Sequence, residues 1–428
     1  MQLYIRDIIT KKRNKQELTE DEMNFFIQGY FKEEISDAQA AALMTTIYIY
    51  GLSEKEVRYI ANAISQTGRE LEFYRISNKI TSINSLGGIS DKIILILLAI
   101  IHALGLPAAK VIGRELGMED RLISIPNYKL EDNIEKFKSC LQDDKIGILK
   151  SIDDLAPVED KLYKLRREIA CDGNVNLIAI SIMSLQMALG FTNIFFEITC
   201  GKNAYVKTVA EAKELSKYLI STGKKLMRNV GGAVTTMIEP VGKCFGNLLE
   251  IKEAYDALNG NMEPDVEDMI LEFGSNILTI STDIKDQHKN RKKIMEAVQS
   301  GNALKSFEAM ISLSGGDIDI LKKDISVKCK VPIMSNCSGY IHEIDVNEIR
   351  MVARYIDAIR TKSSDYLDAG AGIVFNKKVG GQVEKGEILA YLYTNNTTKV
   401  EKAVSDIKHA FKFSDKKIKP AAKIVFEF

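Results

Sequence analysis

The sequence predicts an α/β chain with a separate all-helical domain in front of it and a small β-rich lobe at its C-terminal end. Three observations predict this. Residues 1–66 repeat the start and stop signals of short helices. From residue 79, strand-like apolar runs alternate with helix-length ones, as in a parallel sheet covered by helices. From residue 336 onward, short alternating runs are joined by glycine turns.

Each element has its own signal. "TEDEMNFFIQGYFKEE" opens on a Thr cap with acids in its first turn, "SDAQAAALMTTIYIYG" runs from Ser-Asp to Gly51, and "SEKEVRYIANAISQTG" repeats that grammar to Gly68. "KITSINSL" reads as a strand, followed by a Gly turn and a helix through Leu104; "PAAKVIG" is a short strand. The stretch 157–190 returns to apolar positions at three- and four-residue spacing and is expected to be helical. "FTNIFFEITCG" is a strand, "TVAEAKELSKYLISTGKKLM" a helix, and "VGGAVTTMIEPVG" a strand and turn. Near the C-terminus, "KKVGGQVEKGEILA" resembles the hairpins of biotinyl and lipoyl carrier barrels. It lacks a lysine in the attachment context, so a purely structural barrel is expected.

Composition narrows the function classes. At 428 residues, two or three lobes are expected. Lys+Arg and Asp+Glu balance at 58 each, which leaves no net field for nucleic acid or a membrane surface. The start of the chain has no signal-peptide core. "IILILLAIIHALGLPAA" is shorter than the roughly 20 residues a membrane span needs and is interrupted by His102 and Pro107, so it reads as a buried helix. Six scattered cysteines without a CxxC pair suit a reduced, cytoplasmic protein, and four dispersed histidines do not suggest a His-based metal centre.

The run from Thr81 has the outline of an anion cradle: Gly87-Gly88, then Ser90-Asp91-Lys92 opening a long helix. A glycine turn feeding a helix N-terminus offers unpaired N–H groups and a partial positive charge. Where a cation would help hold a dianion, however, the chain has Ile83 and Asn84.

Several blocks together resemble one family, the pyrimidine nucleoside phosphorylases, which include thymidine phosphorylases. "INSLGGISDK" is similar to the family's "KHSTGGVGDK". "AKVIGRELG", "LYKLRREIA", "IAISIMS", "EPVGKCFGNLLEIKEA", "SGYIHEID" and "GIVFNKKVGGQVEKGE" follow in family order. The resemblance implies the nucleoside phosphorylase fold. It divides the chain into a helical domain (1–66 plus 157–190), an α/β phosphate domain (67–156 plus 191–335) and a C-terminal α+β lobe (336–428). It also implies a homodimer and a reversible reaction in which phosphate attacks the sugar C1′ and the pyrimidine leaves. Such a site must hold a dianion beside an oxocarbenium-like sugar and stabilise charge on the departing base.

Carried over residue by residue, the phosphate half has changed most. The signature's Lys-His-Ser is Ile83-Asn84-Ser85, its threonine is Leu86, and a hydroxyl on the next helix is Ile94. Lys110 remains from a contact strand whose serine is now Ile112. The loop 115–127 is shorter than the family's and lacks its Thr-Gly-Gly-Thr. Ser85, Gly87, Gly88 and Lys110 are thus what remains of the phosphate site. On the base side, Arg166 and Ser181 match the family's pyrimidine-binding arginine and serine, while the matching lysine is Leu185. No cofactor is implied beyond a structural monovalent cation such as potassium, held by Glu253 with carbonyls near Ser90, Lys92, Val241 and Cys244.

The favoured reading is a non-phosphorolytic homologue that binds a pyrimidine, a nucleoside or another ligand, or serves in assembly. The alternative is a working phosphorylase or pentosyltransferase whose anion site is rebuilt from Lys92, Lys110, Arg121 or Lys202. A third reading, glycosidic hydrolysis without phosphate, needs a water-activating carboxylate from Glu115, Glu119 or Asp120.

Overall fold

A computed structural model describes residues 2–86, 91–113, 116–150, 155–201, 204–236, 238–282, 284–420 and 422–428. The chain opens with α1 (Ile5–Arg13), α2 (Glu20–Phe31), α3 (Asp37–Tyr50) and α4 (Glu54–Ser65). Thr19, Ser36 and Ser53 cap α2, α3 and α4 in reciprocal capping boxes with Glu22, Gln39 and Glu56. Each such cap is worth about 1 kcal/mol. Glu56 also accepts the Lys12 ammonium at 2.7 Å and the Leu18 amide at 2.9 Å, so one buried carboxylate ties α1 and the loop after it to α4.

The middle of the chain runs β1 (Thr81–Leu86), α5 (Asp91–Ala103), β2 (Ala108–Ile112), α6 (Leu116–Ile123), α7 (Ile134–Asp143), β3 (Ile146–Lys150), α8 (Pro157–Glu168), α9 (Val175–Leu189), β4 (Asn193–Cys200), α10 (Val209–Lys225) and β5 (Asn229–Thr236). The 157–190 stretch is two helices. Ala170, at φ 56°, ends the first, and Asn174 caps the second through the amides of Asn176 and Leu177. Both pack on the N-terminal helices.

Strands β3, β2, β1, β4 and β5 form a parallel sheet in that order. The order reverses between β1 and β4, and the crevice at the C-terminal ends of such strands is where open α/β sheets bind ligands. Helix α5 is buried from Asp91 through Ile101. An apolar surface all round is what a helix enclosed on every side requires. Neighbours enclose it: β1 and β2, and also α11 (Asn247–Leu258), α12 (Pro264–Ser281), α13 (Gln287–Gln299) and α14 (Asn302–Leu313). Among the described residues, no helix is long and apolar enough to cross a membrane.

The C-terminal part differs from the expected barrel. It contains β7 (Cys329–Met334), β8 (Gly339–Ile344), α15 (Val346–Tyr355), β9 (Gly372–Phe375), β10 (Gln382–Val383), β11 (Ile388–Thr394), α16 (Val400–Ala410), β12 (Phe411–Ser414) and β13 (Ile424–Glu427). Two small sheets form instead. One has the order β10-β8-β12; the other is β6-β9-β11-β7, with β6 (Cys244–Gly246) supplied by the α/β segment. Helix α16 packs on strands of both sheets. In return, β13 leaves the lobe and adds antiparallel to β5 at the edge of the main sheet. Gly232 permits this, since a side chain there would collide with the Phe428 ring and the Phe196 carbonyl.

Candidate functional site

The register of β1 against β4 puts Ser85 opposite Glu197 at the switch point. Glu197 lies in β4, which is buried along its whole length, and is itself fully buried. A carboxylate in such a strand must find donors or be strongly penalised. It accepts hydrogen bonds from the hydroxyls of Ser85 (2.6 Å), Thr199 (2.7 Å) and Thr235. The remaining family hydroxyl of the signature is therefore engaged with an internal anion. Gly87, Gly88, Glu115 and Lys202 lie outside the described residues, as does the Ser90 carbonyl.

The positions where the resemblance places polar phosphate contacts are core. Ile83 and Ile94 are fully buried, and Ile112 is buried beside them. Asn84 spends its amide on Ser82 Oγ (3.0 Å) and the Phe195 carbonyl (3.4 Å), and accepts from Gln186.

The candidate cations are engaged unequally. Arg121 grips Glu250 with two hydrogen bonds, at 2.9 and 3.0 Å, and donates to Asp91 at 2.9 Å. Burial pulls its pKa down, but the two carboxylates outweigh that and raise it. Lys92, 1% exposed, donates to the Cys244 carbonyl at 2.7 Å and to Glu253 at 2.5 Å. Burial lowers its pKa too, and again Glu253 and Glu250 win, for a net rise. Lys110 is different: burial dominates, Asp91 and Glu197 offset it only partly, and its pKa falls. No hydrogen bond from its ammonium is found among the described residues. Among these residues, Lys92, Lys110 and Arg121 face Asp91, Glu197, Glu250 and Glu253, so carboxylates outnumber cations.

Two of the donors that the resemblance assigns to a monovalent metal, Glu253 and the Cys244 carbonyl, hold the Lys92 ammonium. Glu253 accepts the amides of Lys243 (2.5 Å) and Cys244 (3.1 Å) as well as Lys92. Gly242, at φ +66°, brings its backbone so close that a methyl group would strike the Glu253 carboxylate. These residues do not fit a metal ion in addition to Lys92.

On the side where the resemblance places the base, Arg166 and Ser181 lie within hydrogen-bond distance of each other. Arg166 donates to the Leu177 carbonyl at 2.9 Å and to Ser181 Oγ at 3.3 Å, and Ser181 donates to Glu159. Glu159, which the sequence reading missed, pairs with Arg166 at 2.6 Å, both side chains being almost wholly buried. The Arg166 Nε has no hydrogen-bond partner among the described residues. Leu185 packs against the helical core. The carboxylates proposed for hydrolysis are engaged: Asp120 accepts Arg360 Nε at 2.6 Å, and Glu119 accepts the same guanidinium at 3.2 Å. Residues 116–123 form helix α6 where a loop was expected.

A signal existed for both missed carboxylates. Glu197 is a lone acid in "NIFFEITC", and Glu159 lies two helical turns before Arg166.

A helical bundle beside a parallel α/β sheet, with the site at its switch point, defines the class. Residues 6–68 match the glycosyl transferase family helical bundle domain and residues 78–304 the glycosyl transferase family a/b domain. A solved anthranilate phosphoribosyltransferase from Thermus thermophilus shares this fold at a TM-score of 0.55 and 14% identity, covering 72% of this chain and 99% of that one. Residues 340–414 match the pyrimidine nucleoside phosphorylase C-terminal domain. A pyrimidine-nucleoside phosphorylase of Staphylococcus epidermidis (strain ATCC 12228) is 33% identical over 91% of this chain and 92% of its own. One from Staphylococcus aureus (strain MSSA476) is 31% identical over 98% and 99%. The chain belongs to the pyrimidine nucleoside phosphorylase family.

Proposed function

We propose that this protein is a family member that binds a pyrimidine or pyrimidine nucleoside without phosphorolysing it. The observation that carries the reading is the occupation of the phosphate half by the protein's own charges. Lys92 and Arg121 are held by Glu253, Glu250 and Asp91, while Ser85 is held by Glu197. A dianion entering there meets, among the described residues, more carboxylates than cations, and aliphatic walls at positions 83, 94 and 112. Losing one preorganised charge-stabilising donor costs about 10²–10³ in rate, and several have gone here. Arg166 and Ser181 stand together beside Glu159, and the Arg166 Nε, buried and without a hydrogen-bond partner among the described residues, is the donor left for a base carbonyl to engage. The helical domain suits a homodimer, and six unpaired cysteines suit the cytoplasm.

Lys110 favours a second reading, an active enzyme with a rebuilt anion site. It is buried near Asp91 and Glu197, with no hydrogen bond among the described residues. One assay separates the two. Purified protein is incubated with uridine or thymidine and phosphate or arsenate, and its melting temperature is followed with uracil, thymine and both nucleosides. The expected result is no turnover and a ligand-dependent rise in melting temperature. Phosphate-dependent turnover that disappears in Lys110→Met would establish the second reading instead.

A further inference from the structure

We propose that the ammonium of Lys92 is this protein's resident cation, standing where the resemblance to its relatives places a monovalent metal, and that the chain neither binds nor needs potassium or sodium there. The inference concerns the scaffold and does not depend on whether phosphorolysis survives.

The geometry is that of a filled cation site. Lys92 Nζ lies 2.7 Å from a backbone carbonyl, Cys244 O, and 2.5 Å from Glu253 Oε2. Glu253 is turned toward it by the amides of Lys243 and Cys244, and the loop wraps so closely that a Cβ at position 242, where φ is +66°, would meet the Glu253 carboxylate. An ammonium and a bare potassium ion have similar radii and take the same oxygen ligands. Both cannot use one carbonyl and one carboxylate oxygen at once. One positive charge already balances Glu253 in a site 1% exposed at its lysine, and a second would be uncompensated.

The position of Lys92 in the helix is itself unfavourable for a cation: the residue sits in the first turn of α5, where the helix dipole disfavours a positive charge. Placing a fully buried lysine there is tolerable only because Glu253 on α11 receives it. The pair fastens the start of α5, helix α11 and the loop preceding β6 to one another. The cation at this junction is thus tethered to the chain and cannot dissociate, which makes the junction insensitive to salt composition.

The test compares melting temperatures of the wild-type protein in potassium, sodium and tetramethylammonium chloride at equal ionic strength. The expected result is no difference between the three. Lys92→Thr should melt several degrees lower in tetramethylammonium chloride and recover saturably with potassium. Crystals of this variant grown in rubidium should show an ion between Glu253 and the Cys244 carbonyl, and wild-type crystals none. A saturable potassium-specific rise in the wild type, or an ion at that place in its crystals, would overturn the proposal. So would a variant that folds yet responds to no monovalent ion. If Lys92→Thr folds in neither salt, the wild-type melting series and the rubidium crystals still decide.

Discussion

Arg166 and Glu159 show what burial makes of a binding residue. A guanidinium exposed to solvent is free for a ligand, whereas this one is held by a carboxylate, a hydroxyl and a carbonyl inside the protein. Removing one partner of a buried ion pair costs about 3–5 kcal/mol, because the other charge stays in a low-dielectric site. Arg166→Leu should therefore destabilise the protein by about that amount in urea unfolding. The double variant Arg166→Leu/Glu159→Leu should recover most of the loss. Nucleoside binding should be lost in both, so stability and binding report the two roles of Arg166 separately. A single variant as stable as the wild type would show the pair to be unimportant for folding.

At the scale of elements, the C-terminal strand β13 is the most conditional. It pairs with β5 alone, at a sheet edge, through a register broken by a bulge between Ile424 and Phe426. Its Glu427 lies at the surface facing Glu272, and partial desolvation of the carboxyl together with that neighbour lifts it to about 7, with Arg291 opposing. A carboxyl raised in the folded state favours folding at low pH, and that contribution is lost as the pH climbs through the raised value. The wild type should lose stability between the ordinary glutamate range and about pH 7 relative to Glu427→Gln, which lacks this dependence. Parallel melting-temperature profiles for the two proteins across that range would contradict the coupling.

At the scale of the molecule, the lobes exchange strands. The α/β segment gives β6 to the C-terminal lobe, and the lobe returns β13 to the main sheet. Lys378 adds a charged tie, donating to the Pro240 and Gly242 carbonyls of the loop that also wraps Glu253. Cutting the chain at residue 335 would leave β6 without β9 and uncover the edge of β5. Such a fragment should be insoluble or unfold without cooperativity, and the whole chain should melt in one transition by calorimetry. A soluble, cooperative 1–335 fragment would show that the exchange is not required for folding.

The local part of this fold was legible because local rules decide it. Thr19, Ser36 and Ser53 cap where their side chains reach the next amides, and the apolar run after Asp91 makes a helix whatever surrounds it. Family order of the motifs likewise singled out Arg166 and Ser181, which hydrogen-bond to each other. What could not be read was the partner of each charge. Lys92, Lys110 and Arg121 looked alike as free cations in the sequence. Glu253, Glu250 and Asp91 claim two of them only once α5, α6 and α11 are packed. The return of β13 to the main sheet and the two sheets of the C-terminal lobe were equally hidden, since strand partners are chosen between distant segments. The sequence alone determined most of the elements, the family and the presence of Ile83 where the family signature has a lysine. Tertiary structure decided which charges are spent inside the protein, because an ion pair depends on where a side chain ends in space.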